Sequence, residues 1–214
     1  MQKYYVKNKI EAGIDECARG CLFGRTYAAC VIWDERFNNL DPKKIKYIKD
    51  SKKLSAKRRE EMYELIIANC ADYSIQYGTE EAIDINNISN TIFDCMHRCI
   101  DNLKIKPDLL LVDGLYFKEY NGIDHITIIN GDNTYYSIAA GSILAKVSHD
   151  RYIKELCNKH PELEDNYSLL SNKGYGTVKH IEGIKKNGIT KYHRKTYGIC
   201  KDYIIPAVGS SNIG

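Results

Sequence analysis

Long apolar runs are missing from this 214-residue chain; none approaches the ~18 residues needed to cross a bilayer as a helix. The N-terminal stretch MQKYYVKNKIEAGID has no apolar core of the kind that drives secretion. Prolines number only 4, and no internal repeat, low-complexity tract or long linker breaks the chain. Excess charge is missing too: the net value is +3, so bulk charge announces no polyanionic partner. These absences exclude a helical membrane protein and an exported one. The expectation is a soluble, cytoplasmic protein whose length suits a single domain, 1–214, with a sizeable core.

Cysteine, by contrast, is plentiful, at 8 residues. They are scattered through apolar stretches of a chain without an export signal, so reduced and mostly buried thiols are expected. Cys95 and Cys99 stand one helical turn apart with His97 between them, but a zinc site needs about four ligands and no second pair follows. Helix packing is the expectation there. Charge is also uneven. From Lys43 to Arg59 nine residues are basic and one, Asp50, is acidic; from Lys173 to Lys195 seven are basic and one, Glu182, is acidic. Such stretches form either solvated helix faces or a phosphate-binding surface.

Hydrophobic patterning predicts strands over Ile10 to Asp15, Thr26 to Trp33, Tyr73 to Tyr77, Asp108 to Asp113 and His125 to Ile129. It predicts helices from a Ser55 cap to about Asn69, over Ile83 to Lys104, and over Ser137 to His160. The last of these opens with Ala139, Ala140, Gly141 and Ala145, small residues that permit close packing on a sheet. The pattern is that of an α/β domain with a mixed sheet, followed from about Asn172 by a helical extension with a basic face.

Acidic residues fall at the ends of these strands. Asp15 and Glu16 close the first, Asp113 closes DLLLVD, and Asp132 follows HITII after Asn130-Gly131. Functional groups of open α/β sheets gather at carboxyl ends of strands. Carboxylates brought together there repel one another unless a cation is present, and oxygen ligands suit Mg2+ or Mn2+. Two such ions ~3.5–4 Å apart can activate water and stabilise a leaving oxygen in phosphodiester cleavage. Taken singly, each acid could equally cap a turn or pair with a lysine.

These residues sit in segments that resemble the type 2 ribonuclease H (ribonuclease HII) family, in family order and over nearly the whole chain. They are AGIDECARG (Ala12 to Gly20), DSKKLSAKRRE (Asp50 to Glu60), LLVDG (Leu110 to Gly114) and GDNTYYSIAAGSILAKVSHD (Gly131 to Asp150). NKGYGTVKH (Asn172 to His180) and GITKYHRKTYG (Gly188 to Gly198) complete the series. The resemblance implies an RNase H-like fold, with a five-stranded mixed sheet flanked by helices and a helical substrate-binding extension from about residue 172. It implies an endoribonuclease that hydrolyses the RNA strand of RNA/DNA hybrids. It further implies cutting 5′ of single ribonucleotides embedded in duplex DNA, leaving 5′-phosphate and 3′-hydroxyl ends. Asp15, Glu16, Asp113 and Asp132 would be catalytic and hold two Mg2+ or Mn2+ ions, with Asp15 bridging them. Ala18, Arg19 and Gly20, with Tyr175, would test for the 2′-hydroxyl that separates RNA from DNA. Lys52, Lys53 and Lys146 would hold phosphates, Lys146 alternatively pairing with an acid near the metals. His180 and His193-Arg194 would be structural or contact phosphate, and Asp150 would be a helix salt-bridge acid.

The chain departs from the family pattern at Ala18, where glycine is usual, and at Arg25, Gly141 and Ile189. If position 18 needs positive φ, alanine costs about 1 kcal/mol relative to glycine; if the glycine serves close approach, a methyl group faces the ribose. Cys17 and Cys21 flank this turn, where oxidation would disturb the site. The alternative function is a non-catalytic binding module for RNA/DNA duplexes on the same fold, against which the intact acids argue. A type 3 ribonuclease H would carry an N-terminal substrate-binding domain, for which about a dozen residues leave no room. The expected partners are nucleic acids, the expected state is a monomer, and IIPAVGSSNIG at the C-terminus shows no clamp-binding motif.

Overall fold

The computed structural model describes residues 1–49 and 51–204. Asp50, the side chain of Lys53, and positions 205–214 of the C-terminal stretch lie outside the described residues.

The strands are β1 (Glu11–Cys17), β2 (Thr26–Ile32), β3 (Asp72–Gly78), β4 (Leu109–Asp113) and β5 (Asp124–Ile128). They form one sheet in the order β3-β2-β1-β4-β5, with β2 antiparallel to β1 and β3, and β4 parallel to β1 and β5. β2 is buried at every position, which explains why TYAACVI reads as continuous rather than alternating. Its Tyr27, Ala29 and Val31 enter one core and its Ala28, Cys30 and Ile32 another, so helices cover both faces. The predicted first strand starts one residue late and runs on to Cys17, because Glu16 and Cys17 still pair with Ala28 and Tyr27.

The helices are α1 (Pro42–Ile45), α2 (Ala56–Asn69), α3 (Glu80–Asn86), α4 (Ile88–Asp101), α5 (Tyr136–Lys159), α6 (Pro161–Tyr167), α7 (Leu169–Asn172) and α8 (Val178–Asn187). Ser55 caps α2 as expected, accepting from the Arg58 amide. The single helix expected over Ile83 to Lys104 is instead two. Asn87 takes a left-handed φ of 63° between α3 and α4, and its side chain accepts from the Asn90 amide to start the second helix. Cys95 and Cys99 lie on the buried face of α4 with Ile92 and Met96, so they pack rather than ligate. All eight cysteines are free thiols.

α5 is the helix that shapes the site. A Cβ at Gly13 would stand 2.2 Å from the Ser137 carbonyl carbon, so only glycine lets the helix approach β1 this closely. One turn further on, Gly141 faces the Asp15 amide and the Ala29 carbonyl. The extension begins earlier than expected, at α6. Its inner face is apolar: Leu163, Tyr167, Leu169, Ile184 and Cys200 pack with Phe23 and Ile153. The basic residues Lys179, Lys185 and Lys186 of α8 are exposed. No helix among the described residues is long and apolar enough to cross a membrane.

Candidate active site

Asp15 and Glu16 lie near the C-terminal end of β1. The parallel register Ile14↔Val112 sets the next residues, Asp15 and Asp113, at neighbouring strand ends. Asp113 in turn pairs with Ile128 of β5. Beyond β5 the chain passes through Asn130, left-handed at φ 54°, into a 3-10 turn over Gly131–Asn133 that carries Asp132. The Gly131 amide donates to Asp113 Oδ1 at 2.7 Å, and Asn133 Nδ2 donates to Asp132 Oδ1 at 2.8 Å. Strand ends and one tight turn thus gather four acids from three chain segments.

The acids line a cleft of about 530 Å3, together with Cys17, Ala18, Arg19, Gly20, Ser51, Lys52, Ser142, Lys146 and Tyr175. Every predicted site residue whose side chain is described faces this one cleft. Burial raises Asp15 well above the usual carboxylate range, and the charges of Glu16 and Asp113 raise it further. The Ser142 hydroxyl and the Glu16 amide, 2.7 Å from Oδ1, pull it back. Glu16 is raised by burial and by Asp113 against the opposing charge of Arg19; Asp113 is raised by burial and by Asp132. Lys52 lowers both Glu16 and Asp113. Burial and mutual repulsion therefore outweigh the cations around these three acids. Among the described residues no group of three or more His, Cys, Asp or Glu side chains is gathered tightly enough for a metal cluster; the acids share the cleft without closing on one point.

Sequence reasoning missed three residues that build this site. Ser51 and Ser142 are both buried, with hydroxyls 3.1 Å apart across 91 positions of sequence. Since Ser142 donates to Asp15, Ser51 is the donor to Ser142. Arg59, taken as part of a basic stretch, donates from Nη1 to the carbonyls of Ser51 (3.0 Å) and Leu54 (2.6 Å). It therefore holds the 3-10 turn Ser51–Lys53 that presents Lys52. Only the position of Ser51 inside the Asp-Ser-Lys-Lys-Leu block hinted at any of this.

At the rim, Lys146 pairs with Asp150 (2.8 Å) rather than with the clustered acids, and its ammonium stands 5.6 Å from the centre of the Tyr175 ring. Asp150 also meets Arg59 and His149, so it is a salt-bridge acid of α5. Tyr175 is 37% exposed, and its hydroxyl meets the Cys21 thiol. Ala18 has a φ of 63° with its methyl buried, so of the two readings of this departure the backbone one applies. A Cβ at Gly20 would meet nothing within 4 Å. Burial pushes the Cys21 thiol up to about 11 and raises Cys17 well above its ordinary value, which leaves little thiolate for oxidation. His180, His193 and Arg194 are fully buried, so none is placed to touch a phosphate; their role is structural.

The ribonuclease HII family model matches residues 12–200. A curated relative named Ribonuclease HII, from Parabacteroides distasonis, is 42% identical over 201 residues, covering 94% of this chain and 96% of its own. The crystal structure of ribonuclease H2 from Pyrococcus horikoshii OT3 superposes with a TM-score of 0.72 at 24% identity, covering 90% of this chain and 96% of its own. An Archaeoglobus fulgidus RNase HII, solved in complex with PCNA, does so with a TM-score of 0.71 at 26% identity, covering 88% of this chain and 95% of its own. The five-stranded mixed sheet with its flanking helices is the RNase H-like fold. With sequence, fold and acidic cleft in agreement, the chain belongs to the ribonuclease HII family, metal-dependent endoribonucleases that act on RNA/DNA hybrids.

Proposed function

We propose that the cleft hydrolyses the RNA strand of RNA/DNA hybrids and also cuts 5′ of single ribonucleotides embedded in duplex DNA, leaving 5′-phosphate and 3′-hydroxyl ends. The observation that carries this reading is the set of acids at the strand ends, three of them raised by burial and by one another. An all-oxygen donor set of this kind fits hard divalent cations, and bound cations would relieve the repulsion. Asp15, Glu16, Asp113 and Asp132 would hold two ions, Mg2+ or Mn2+. When bound, such ions supply an activated water and charge stabilisation for the departing 3′ oxygen.

The remaining residues bind and orient. Ser142, backed by Ser51, fixes the Asp15 carboxyl through its hydrogen bond. Lys52, carried on the turn that Arg59 holds, would receive a phosphate beside the acids, and Lys53, whose side chain lies outside the described residues, would receive another. Lys146, already neutralised by Asp150, would serve Tyr175 more than a phosphate. The Tyr175 hydroxyl, raised by burial, stays protonated and would test for the 2′-hydroxyl while its exposed ring packs on the neighbouring sugar. The main chain of Ala18, Arg19 and Gly20, which runs into the Cys21 bridge to Tyr175, would complete that test. The chain is taken to act as a monomer.

The test is cleavage of two labelled duplexes with Mg2+ or Mn2+, one DNA with a single ribonucleotide and one RNA strand paired with DNA. An all-DNA duplex and an Asp113→Asn protein serve as controls. Cutting of both ribose-containing duplexes, lost in the variant, is the expected result. Cutting of the hybrid alone would remove single-ribonucleotide recognition from the reading. Binding without cutting would replace the enzyme by a non-catalytic duplex-binding module.

A further inference from the structure

Arg194 has no solvent exposure, and no carboxylate among the described residues lies within salt-bridge distance of it. A buried guanidinium without a counter-ion is costly, whereas an unbranched apolar side chain would fill the same space without that penalty. What the arginine supplies is a rigid fork of donors. Its Nε donates to the Gly24 carbonyl (2.9 Å), its Nη1 to the Arg19 carbonyl (3.0 Å), and its own amide to the Leu22 carbonyl (2.8 Å). The Tyr197 hydroxyl donates to the same Arg19 carbonyl at 3.2 Å, and its ring stands 5.2 Å from the guanidinium carbon. One residue thus grips the segment after β1 at three carbonyls. One of the three belongs to Arg19, next to the left-handed Ala18.

The preceding residue reaches the Tyr175 segment, which the main chain already joins to the residues after the turn: the Leu22 amide donates to the Gly174 carbonyl (2.8 Å), and Cys21 forms a β-bridge with Tyr175. His193 Nδ1 accepts from the Thr190 amide at 3.0 Å, so its proton sits on Nε2. His180 Nδ1 lies 2.9 Å from the Tyr175 carbonyl, which can only accept, so that nitrogen carries the His180 proton. The two Nε2 atoms, 3.3 Å apart, therefore form a donor and acceptor of fixed direction. Hydrogen bonds run one way from the Thr190 amide through His193 and His180 to the Tyr175 main chain. Neither histidine touches the cleft; both are fully buried.

We infer that His193 and Arg194 are positioning residues: adjacent in sequence, they add side-chain bonds to the main-chain contacts between the two segments, lock the Ala18–Arg19–Gly20 turn against Tyr175, and so govern recognition of a lone ribonucleotide. The inference rests on the reading of that turn and tyrosine given under Proposed function. Its consequence is selective. Every nucleotide of a hybrid's RNA strand offers a 2′-hydroxyl, so a displaced turn still finds productive registers. A single ribonucleotide in DNA offers one register only.

The experiment compares cleavage rates on the two duplexes, at a temperature where circular dichroism finds each variant folded. Arg194→Lys keeps the charge but loses the fork. It is expected to lower the ratio of single-ribonucleotide to hybrid cleavage tenfold or more, within the ~10²-fold that a misplacement of about 1 Å can cost. Tyr197→Phe removes one hydroxyl from a half-buried ring and should fold even if the arginine variant does not; its ratio should fall in the same direction, by less. His193→Leu should also lower the ratio. His193→Gln, whose amide can accept from Thr190 and donate to His180, should restore it. Equal losses on both duplexes in the variants that fold would mean ordinary structural support and overturn the inference. A wild-type protein that cuts neither duplex would instead sink the underlying functional reading, and the inference with it.

Discussion

The floor and the rim of the cleft are built on different principles. The floor is made by backbone register: parallel pairing sets Asp15 and Asp113 at adjacent strand ends, and one 3-10 turn adds Asp132. The rim is made by buried polar side chains that join segments 175 positions apart, as where Arg194 reaches the Arg19 carbonyl. Regular hydrogen bonding fixes the backbone of the floor, and Ser142 then orients the Asp15 carboxyl on it. The rim combines irregular main-chain bonds, such as Leu22 amide to Gly174 carbonyl, with a few buried side-chain donors. Substitutions on the floor should therefore change chemistry while sparing the fold, and substitutions of the buried donors that hold the rim should change both.

The largest expected effect is on the floor. Asp15→Asn should lower cleavage of both duplexes on the order of 10³-fold, the scale seen when one preorganised electrostatic group is lost. In EDTA at pH 7 the same variant should be more stable than the wild type, by on the order of 1 kcal/mol, or a rise in Tm of a few degrees. The sign follows from burial, then Glu16 and Asp113, raising the Asp15 carboxyl. A group raised in the folded state favours folding fully below its unfolded value and loses that contribution as pH rises through its folded value. At pH 7, above the ordinary value of an unfolded carboxyl, burial and the neighbouring charges therefore count against the folded wild type, and asparagine removes that repulsion. An unchanged or lower Tm would show that the acids do not strain the metal-free protein.

The rim should respond to pH in the opposite sense, and this is the next largest effect. Burial, then the charge of His180, holds His193 down at about 3, and burial lowers His180 as well. The unfolded chain takes up protons near pH 6.5 that the folded protein refuses, so stability falls as pH drops from about 6.5 towards 3. The slope approaches 1.4 kcal/mol per pH unit for each histidine that stays neutral. Thermal melts between pH 7 and 5 should show this loss in the wild type and a shallower one in His193→Gln. Parallel slopes would mean the pair protonates without penalty.

These two regions also differ in how far they could be read in advance. The apolar run LLLVD and the strand-end acids carry the floor's geometry in local patterning, which is why all four carboxylates were expected together. Arg194 stayed open between a structural role and a phosphate contact, because its place in a basic stretch fits either; only its three carbonyl partners, all distant in sequence, make burial tolerable. Ser51 and Ser142 were missed because they too pair across distant sequence, and the break at Asn87 was missed because an apolar helical period continues through it.

Gly20 separates structure from recognition more sharply than any other rim position. Nothing in the protein would touch a Cβ there, yet the residue lines the cleft. Gly20→Ala should leave Tm within a degree or two, about 0.5 kcal/mol of surface-like effect. Cleavage of the single-ribonucleotide duplex should drop roughly tenfold, since even a small displacement of substrate is costly. Unaltered cleavage would mean that the ribose does not approach this turn.

The smallest effect is expected at Ala18, where two terms oppose each other. A left-handed backbone costs an L-residue about 1–2 kcal/mol, which glycine avoids. The methyl group is buried, however, and deleting it forfeits up to ~0.8 kcal/mol, with further loss from the freer unfolded chain. Ala18→Gly should therefore move stability by less than about 1 kcal/mol. Its effect on activity should be clearer: released from strain, the turn should raise cleavage at a single ribonucleotide a few-fold while leaving hybrid cleavage alone. If the rate is equal or lower, the fork of Arg194 and the Tyr197 hydroxyl already hold the Arg19 carbonyl where it must be, and the alanine at φ 63° is a strain that the rim absorbs without loss of recognition.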